Sequence, residues 1–244
     1  MPSAASLSAL IQPGWWAAKL DLKEGYQHLR LAPDLPVCFQ VMGQGWRMVG
    51  VGFGLNFLPR MFQQLMQDAL HTLVVEGVII LIYLDDIIVL HSTQLGCCKH
   101  VSQVVQRLTD LGFWINPEKS HPQPSQIVDW LGYRYSTCTM RISLPPKKAV
   151  VLARTAATLS RRTHITPRRL ASWHGAAVAA RTALQGRGIL LRETQHCIRV
   201  GVAQSGWDAS VVRAEIRTWR KWMLRVPYGP IKLPPVRAHI QTDS

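Results

Sequence analysis

The stretch VIILIYLDDIIVLH, Val78 to His91, sets two adjacent carboxylates, Asp85 and Asp86, inside the most apolar run of the chain. An unpaired ionised carboxylate is strongly disfavoured in an apolar interior, so both must meet water, donors or cations. The flanks VIILIY and IIVLH are rich in β-branched residues, which predicts two strands joined as a hairpin with LDD at its tip. Such a tip lifts both carboxylates to an edge, where a divalent cation can neutralise them. Mg²⁺ takes hard oxygen ligands from a few carboxylates, with substrate phosphates and water completing its shell. Asp21, in KLDLKEGY, interrupts a strand pattern in the same way and is the candidate third carboxylate. Taken alone, an Asp-Asp turn is also ordinary turn chemistry, and one Asp in a strand an ordinary edge residue.

Around this core the chain reads as alternating elements. AAKLDL predicts a strand, and RLAPDLPVCFQVMGQGWRMVGV predicts short strands punctuated by Pro and Gly. NFLPRMFQQLMQDALHTL predicts a helix, with Phe62, Leu65, Met66, Ala69 and Leu73 along one face and Pro59 near its first turn. KHVSQVVQRLTDLGF predicts a second amphipathic helix closed by Gly112, and IVDWLGYRYS predicts strands again. The order is that of a split βαβ, ferredoxin-like layer with helices on one face, an α+β fold. The pair of prolines in ISLPPKK, Ile142 to Lys148, predicts the boundary to a second, mostly helical half. Its helices are expected over residues 147–161, 167–184 and 209–224, with Thr166 as cap and Pro167 opening the second.

Composition narrows the partner. The 244 residues carry 28 Lys+Arg against 14 Asp+Glu, a net charge of +14, which favours a polyanionic partner, nucleic acid first and an anionic membrane surface second. The basic excess falls in the second half, where only Glu193, Asp208, Glu215 and Asp243 oppose it after Arg141. Cys38, Cys97, Cys98, Cys138 and Cys197 form no CxxC pair, so reduced thiols and an intracellular location are expected. The apolar runs fall short of the roughly 20 residues that span a bilayer, so no membrane anchor is expected.

Five segments in order resemble reverse transcriptases. YLDD resembles the Y-x-D-D box, and LDLKEGYQHLRL the motif that precedes it. VGFGLNFLPRMFQQLM resembles L-P-F-G-L-x-x-A-P-x-x-F-Q-x-x-M. LGFWINPEKS and DWLGYRYS resemble the two segments that follow. The resemblance runs from about Lys19 to Ser136, with Gly25, Gly52 and Leu58 standing where Ala, Pro and Ala are usual. It implies a polymerase palm with partial fingers over residues 1–141 and a helical thumb/connection over 142–235. The C-terminal half is similar to DIRS- and VIPER-type retroelements, with residues 236–244 as the first strand of a truncated RNase H domain and Asp243 as its first acid.

The resemblance also implies roles. Asp21, Asp85 and Asp86 hold two Mg²⁺ ions, with Mn²⁺ as an alternative, for transfer of a deoxynucleotide to a primer 3′-hydroxyl. Tyr26 stacks under the incoming sugar and excludes a 2′-hydroxyl, Tyr83 lies near the primer terminus, Gly54 lets backbone approach the nucleotide, and Lys119 lies near the leaving pyrophosphate. Arg213, Arg217, Arg220 and Lys221, beside the apolar stripe Val212, Ile216, Trp219 and Met223, grip an RNA or DNA template with its primer. Few residues precede Asp21, so the fingers strands are expected to be largely missing and the chain to be a fragment without RNase H activity. Two rival readings remain: a catalytically incompetent remnant that only binds nucleic acid, and another palm-type nucleotidyltransferase such as an RNA-templated RNA polymerase or a nucleotide cyclase.

Overall fold

The computed structural model describes residues 1–32, 34, 37–52, 54–184, 191–201, 207–208, 210–225 and 227–231. The chain divides into two compact units, one ending at Leu131 and the other beginning at Gly132. The division lies ahead of the expected 141/142 boundary because the strands flanking that boundary pair within the second unit.

The first unit runs α1 (Ala4–Leu10), β1 (Trp16–Asp21), β2 (Cys38–Val41), β3 (Gln44–Arg47), α2 (Leu58–Val75), β4 (Ile79–Tyr83), β5 (Asp86–His91), α3 (Gln94–Asp110), β6 (His121–Ser125) and β7 (Ile127–Trp130). Four of these strands form an antiparallel sheet in the order β4-β5-β1-β6. With α2 and α3 as the connections, this is the split βαβ order expected from the sequence. Ala18, Leu20, Leu22, Ile82, Ile87 and Val89 from the sheet share one core with Phe62, Met66 and Leu70 of α2 and Val101, Val104 and Leu108 of α3. Both helices therefore cover the same face. Each large apolar side chain buried there contributes on the order of 1.5–3 kcal/mol. Because strand side chains alternate, Lys19, Asp21, Asp86 and Ile88 fall on the other face.

The fourth strand of the sheet corrects the sequence reading. It is β6, HPQPS, and not the IVDW segment. Pro122 and Pro124 argue against a strand in general, but β6 is the outermost strand, where a missing N–H costs no ladder bond. The helix α3 begins earlier than expected, where Thr93 accepts a hydrogen bond from the Gly96 N–H at 3.1 Å.

The second unit runs β8 (Tyr133–Ser136), β9 (Arg141–Ser143), α4 (Pro146–Leu159), β10 (His164–Ile165), α5 (Pro167–Ala179), α6 (Arg192–Gly201), β11 (Trp207–Asp208), α7 (Ser210–Arg225) and β12 (Tyr228–Pro230). Strand β9 lies between β8 and β12. The helices enclose their own core, in which the Trp173 and Trp219 rings meet edge to face at 5.4 Å. Thr166 caps α5 by its extended backbone alone, with no side-chain bond. The helix α6 was not expected from sequence. Glu215 of α7 anchors its first turn, accepting from the N–H groups of Glu193 and Thr194 at 3.0 and 2.7 Å and from the Thr194 hydroxyl. Asp243 and the 236–244 strand expectation lie outside the described residues.

Candidate active site

Strand register brings the carboxylates together. Asp21, the last residue of β1, lies directly across from Asp86, the first residue of β5. Asp85 occupies the exposed turn of the β4–β5 hairpin, and its carbonyl accepts from the Leu22 N–H at 3.0 Å. Leu84, the other turn residue, adopts φ 55°, a left-handed backbone uncommon for a branched side chain. Gln63 holds it there. This α2 side chain is 5% exposed; its Oε1 accepts from the Leu84 N–H and its Nε2 donates to the Ile82 carbonyl, both at 2.9 Å.

A second clamp holds Asp21. The Ser120 hydroxyl accepts from the Asp21 N–H at 2.9 Å, and the Asn116 N–H donates to the Asp21 carbonyl at 2.8 Å. Neither Gln63, Ser120 nor Asn116 was assigned a role from sequence. All three lie in the matching segments FQQLM and LGFWINPEKS, which was the available signal.

The carboxylates differ in their surroundings. Asp21 is 6% exposed, and its Oδ1 has no hydrogen-bond partner; Lys119 Nζ approaches it at 4.0 Å. Burial, and less strongly Asp85 and Asp86, push the Asp21 pKa up, while Lys119 and Lys19 oppose the rise. Asp86 Oδ1 forms an ion pair with Lys19 Nζ at 2.7 Å.

Next to the carboxylates opens a cleft of about 490 Å³, lined by Lys23, Tyr26, Phe62, Asp85, Asn116 and Lys119 among others. Tyr26 and Phe62 meet edge to face at 5.1 Å, and burial followed by the Asp85 charge raises the Tyr26 phenol pKa. Gly25 faces the same ring: a Cβ there would lie 2.8 Å from Phe62 Cζ, so no larger residue fits while Phe62 keeps its place. Tyr83 pairs with Asp86 across the hairpin. Gly54 is exposed, with φ 112°, a backbone that suits glycine. Arg213, Arg217, Arg220 and Lys221 are on α7 in the other unit, where Val212, Ile216, Trp219 and Met223 are buried.

The donor set suits a hard divalent cation: a buried, unpartnered carboxylate oxygen on Asp21, with Asp85 and Asp86 close enough to perturb it. Among the described residues, no group of three His, Cys, Asp or Glu is placed to hold a single ion.

Residues 3–135 match the reverse transcriptase (RNA-dependent DNA polymerase) family. The chain belongs to that family. Among its relatives is the retrovirus-related Pol polyprotein from transposon gypsy of Drosophila melanogaster, 27% identical over 135 residues that are 54% of this chain and 13% of the relative. The corresponding polyprotein from transposon opus is 30% identical over 116 residues, 47% of this chain and 11% of that one. The transposon Tf2-3 polyprotein of Schizosaccharomyces pombe is 28% identical over 138 residues, 56% of this chain and 10% of the relative. The chain thus spans only a small part of these relatives, all of them polyproteins of transposons.

Among solved structures, the foamy viral protease-reverse transcriptase in complex with an RNA/DNA hybrid superposes with a TM-score of 0.78 at 17% identity, over 93% of this chain and 29% of that one. The same viral protein bound to double-stranded DNA gives 0.72 at 17% identity, over 94% of this chain and 46% of that one. The fold is thus that of a reverse transcriptase, an α+β palm followed by a helical region. Among the described residues, no helix is long and apolar enough to cross a membrane.

Proposed function

We propose that this chain is the polymerase portion of a retrotransposon reverse transcriptase, adding deoxynucleotides to a primer 3′-hydroxyl on an RNA or DNA template. The observation that carries the reading is the Asp21–Asp86 register with Asp85 at the adjoining turn, beside a cleft of about 490 Å³. Asp21, Asp85 and Asp86 would hold divalent cations, Mg²⁺ first, which supply Lewis acidity at the reacting phosphate. This chain's own residues do the rest. Tyr26 walls the cleft where a sugar would lie and disfavours a 2′-hydroxyl, and Lys119 offers its ammonium to the leaving phosphates. Gly54 and Tyr83 complete the nucleotide and primer contacts. Arg213, Arg217, Arg220 and Lys221 hold template–primer backbone through contacts that ignore sequence.

The finer assignment, to DIRS- or VIPER-type elements, rests on IRTWRKWM and HIQTDS, both outside residues 3–135. The functional division proposed with it, a palm with partial fingers over 1–141, a thumb/connection over 142–235 and an RNase H strand over 236–244, follows sequence motifs and so differs from the two compact units that divide at Leu131 and Gly132. The free cysteines fit an intracellular setting. Extension of a labelled primer with deoxynucleotides, with and without Mg²⁺, separates a working polymerase from a remnant that binds template–primer without extending it.

A further inference from the structure

Lys19 stands two residues before Asp21 on the same strand, so both side chains fall on the open face of the sheet. Its ammonium reaches diagonally across to β5 and lies 2.7 Å from Asp86 Oδ1. The pair is mostly shielded from water, with side-chain exposures of 18% and 23%, which makes it stronger than a surface pair. Asp85, at the turn, is exposed, and the Asp21 Oδ1 meets only the more distant and more exposed Lys119 Nζ, at 4.0 Å. Of the three neighbouring carboxylates, Asp86 is thus the one held by a close and shielded cation of the protein's own.

We propose that Lys19 is a positioning residue: it serves as the built-in counter-ion of Asp86, so that an entering divalent cation engages Asp21 and Asp85 first and must compete with an ammonium for Asp86. Lys19 thereby lowers the affinity of the empty site for divalent ions. The inference rests on the proposed metal-dependent polymerase reading.

The test is calorimetric titration of the full chain with Mn²⁺ alone, in the unchanged protein and in Lys19→Met, Asp86→Asn, the double variant and Asp21→Asn, each first checked for folding by circular dichroism. Loss of a neighbouring positive charge is expected to tighten Mn²⁺ binding about tenfold in Lys19→Met. In the Asp86→Asn background the same change is expected to alter binding by less than about threefold, because coupled residues are non-additive. Lys19→Arg keeps the charge and should bind as the unchanged chain does. Lys19→Gln gives the same readout with a neutral polar side chain if Lys19→Met fails to fold. Unaltered affinity in the neutral variants, or equal tightening in both backgrounds, overturns the role of Lys19. Mn²⁺ binding that survives Asp21→Asn, or that is absent from the unchanged chain, overturns the metal-site reading instead, so the two failures are distinguishable.

Discussion

Ser120 Oγ lies 2.9 Å from the Asp21 backbone nitrogen, ninety-nine positions away in the chain, and accepts its N–H in a buried setting. The contact fixes the end of β1, where the strand hands over to the cleft. It explains why a hydroxyl residue follows Lys119: the lysine faces the carboxylate while its neighbour holds the main chain. Ser120→Ala leaves that N–H unsatisfied and should cost about 1–3 kcal/mol, read as a lowered urea midpoint with an unchanged slope.

Gln63 makes the second prediction. Gln63→Leu keeps side-chain bulk but strips the Leu84 N–H and the Ile82 carbonyl of their partners. A loss of about 2 kcal/mol in stability is expected. Primer extension should fall further than stability explains, because the left-handed turn that carries Asp85 loses its support. Activity that tracks stability alone would show the clamp to be merely structural.

His100 supplies a pH dependence. Its ring meets His91 edge to face at 4.8 Å, and burial first, then the His91 and Lys99 charges, lower its pKa below the ordinary 6.5. The unfolded chain therefore takes up this proton more readily than the folded one. The stability is fully present above pH 6.5 and is lost as pH falls through the lowered folded value. His100→Phe should flatten the melting temperature across that window, and an equally steep profile in the variant would assign the slope to other groups.

For the basic helix, Arg217 and Lys221 are both exposed, and Arg217 also donates to the Ser160 carbonyl at 3.4 Å. Replacing both by Ala should weaken template–primer binding equally for all sequences. The slope of log affinity against log salt should flatten by about 1.5, since each phosphate contact adds roughly 0.7–0.9.

Periodicity made much of this legible. The hairpin, the α2 stripe and the α7 stripe all follow from local alternation and helical spacing, because one face of each element must be buried. The tip expected at Leu84–Asp86 narrows to Leu84 and Asp85, because Asp86 pairs with Tyr83 as the first residue of β5. Strand β6 was illegible because its prolines signal a break unless the strand is known to be outermost. Helix α6 depends on Glu215 from another helix, and the Gln63 and Ser120 clamps join residues 19 or more positions apart. No local pattern reports such partners. Lys19 was within reach, since a strand places residue i−2 on the face of residue i.

Whether Asp85 belongs to a site that joins nucleotides is decided by single-nucleotide primer extension in Mg²⁺. Deoxynucleotide incorporation is expected from the unchanged chain, with a fall of at least about a thousandfold in Asp85→Asn while template–primer affinity is kept. No incorporation by the unchanged chain, or incorporation that survives Asp85→Asn, would contradict that role.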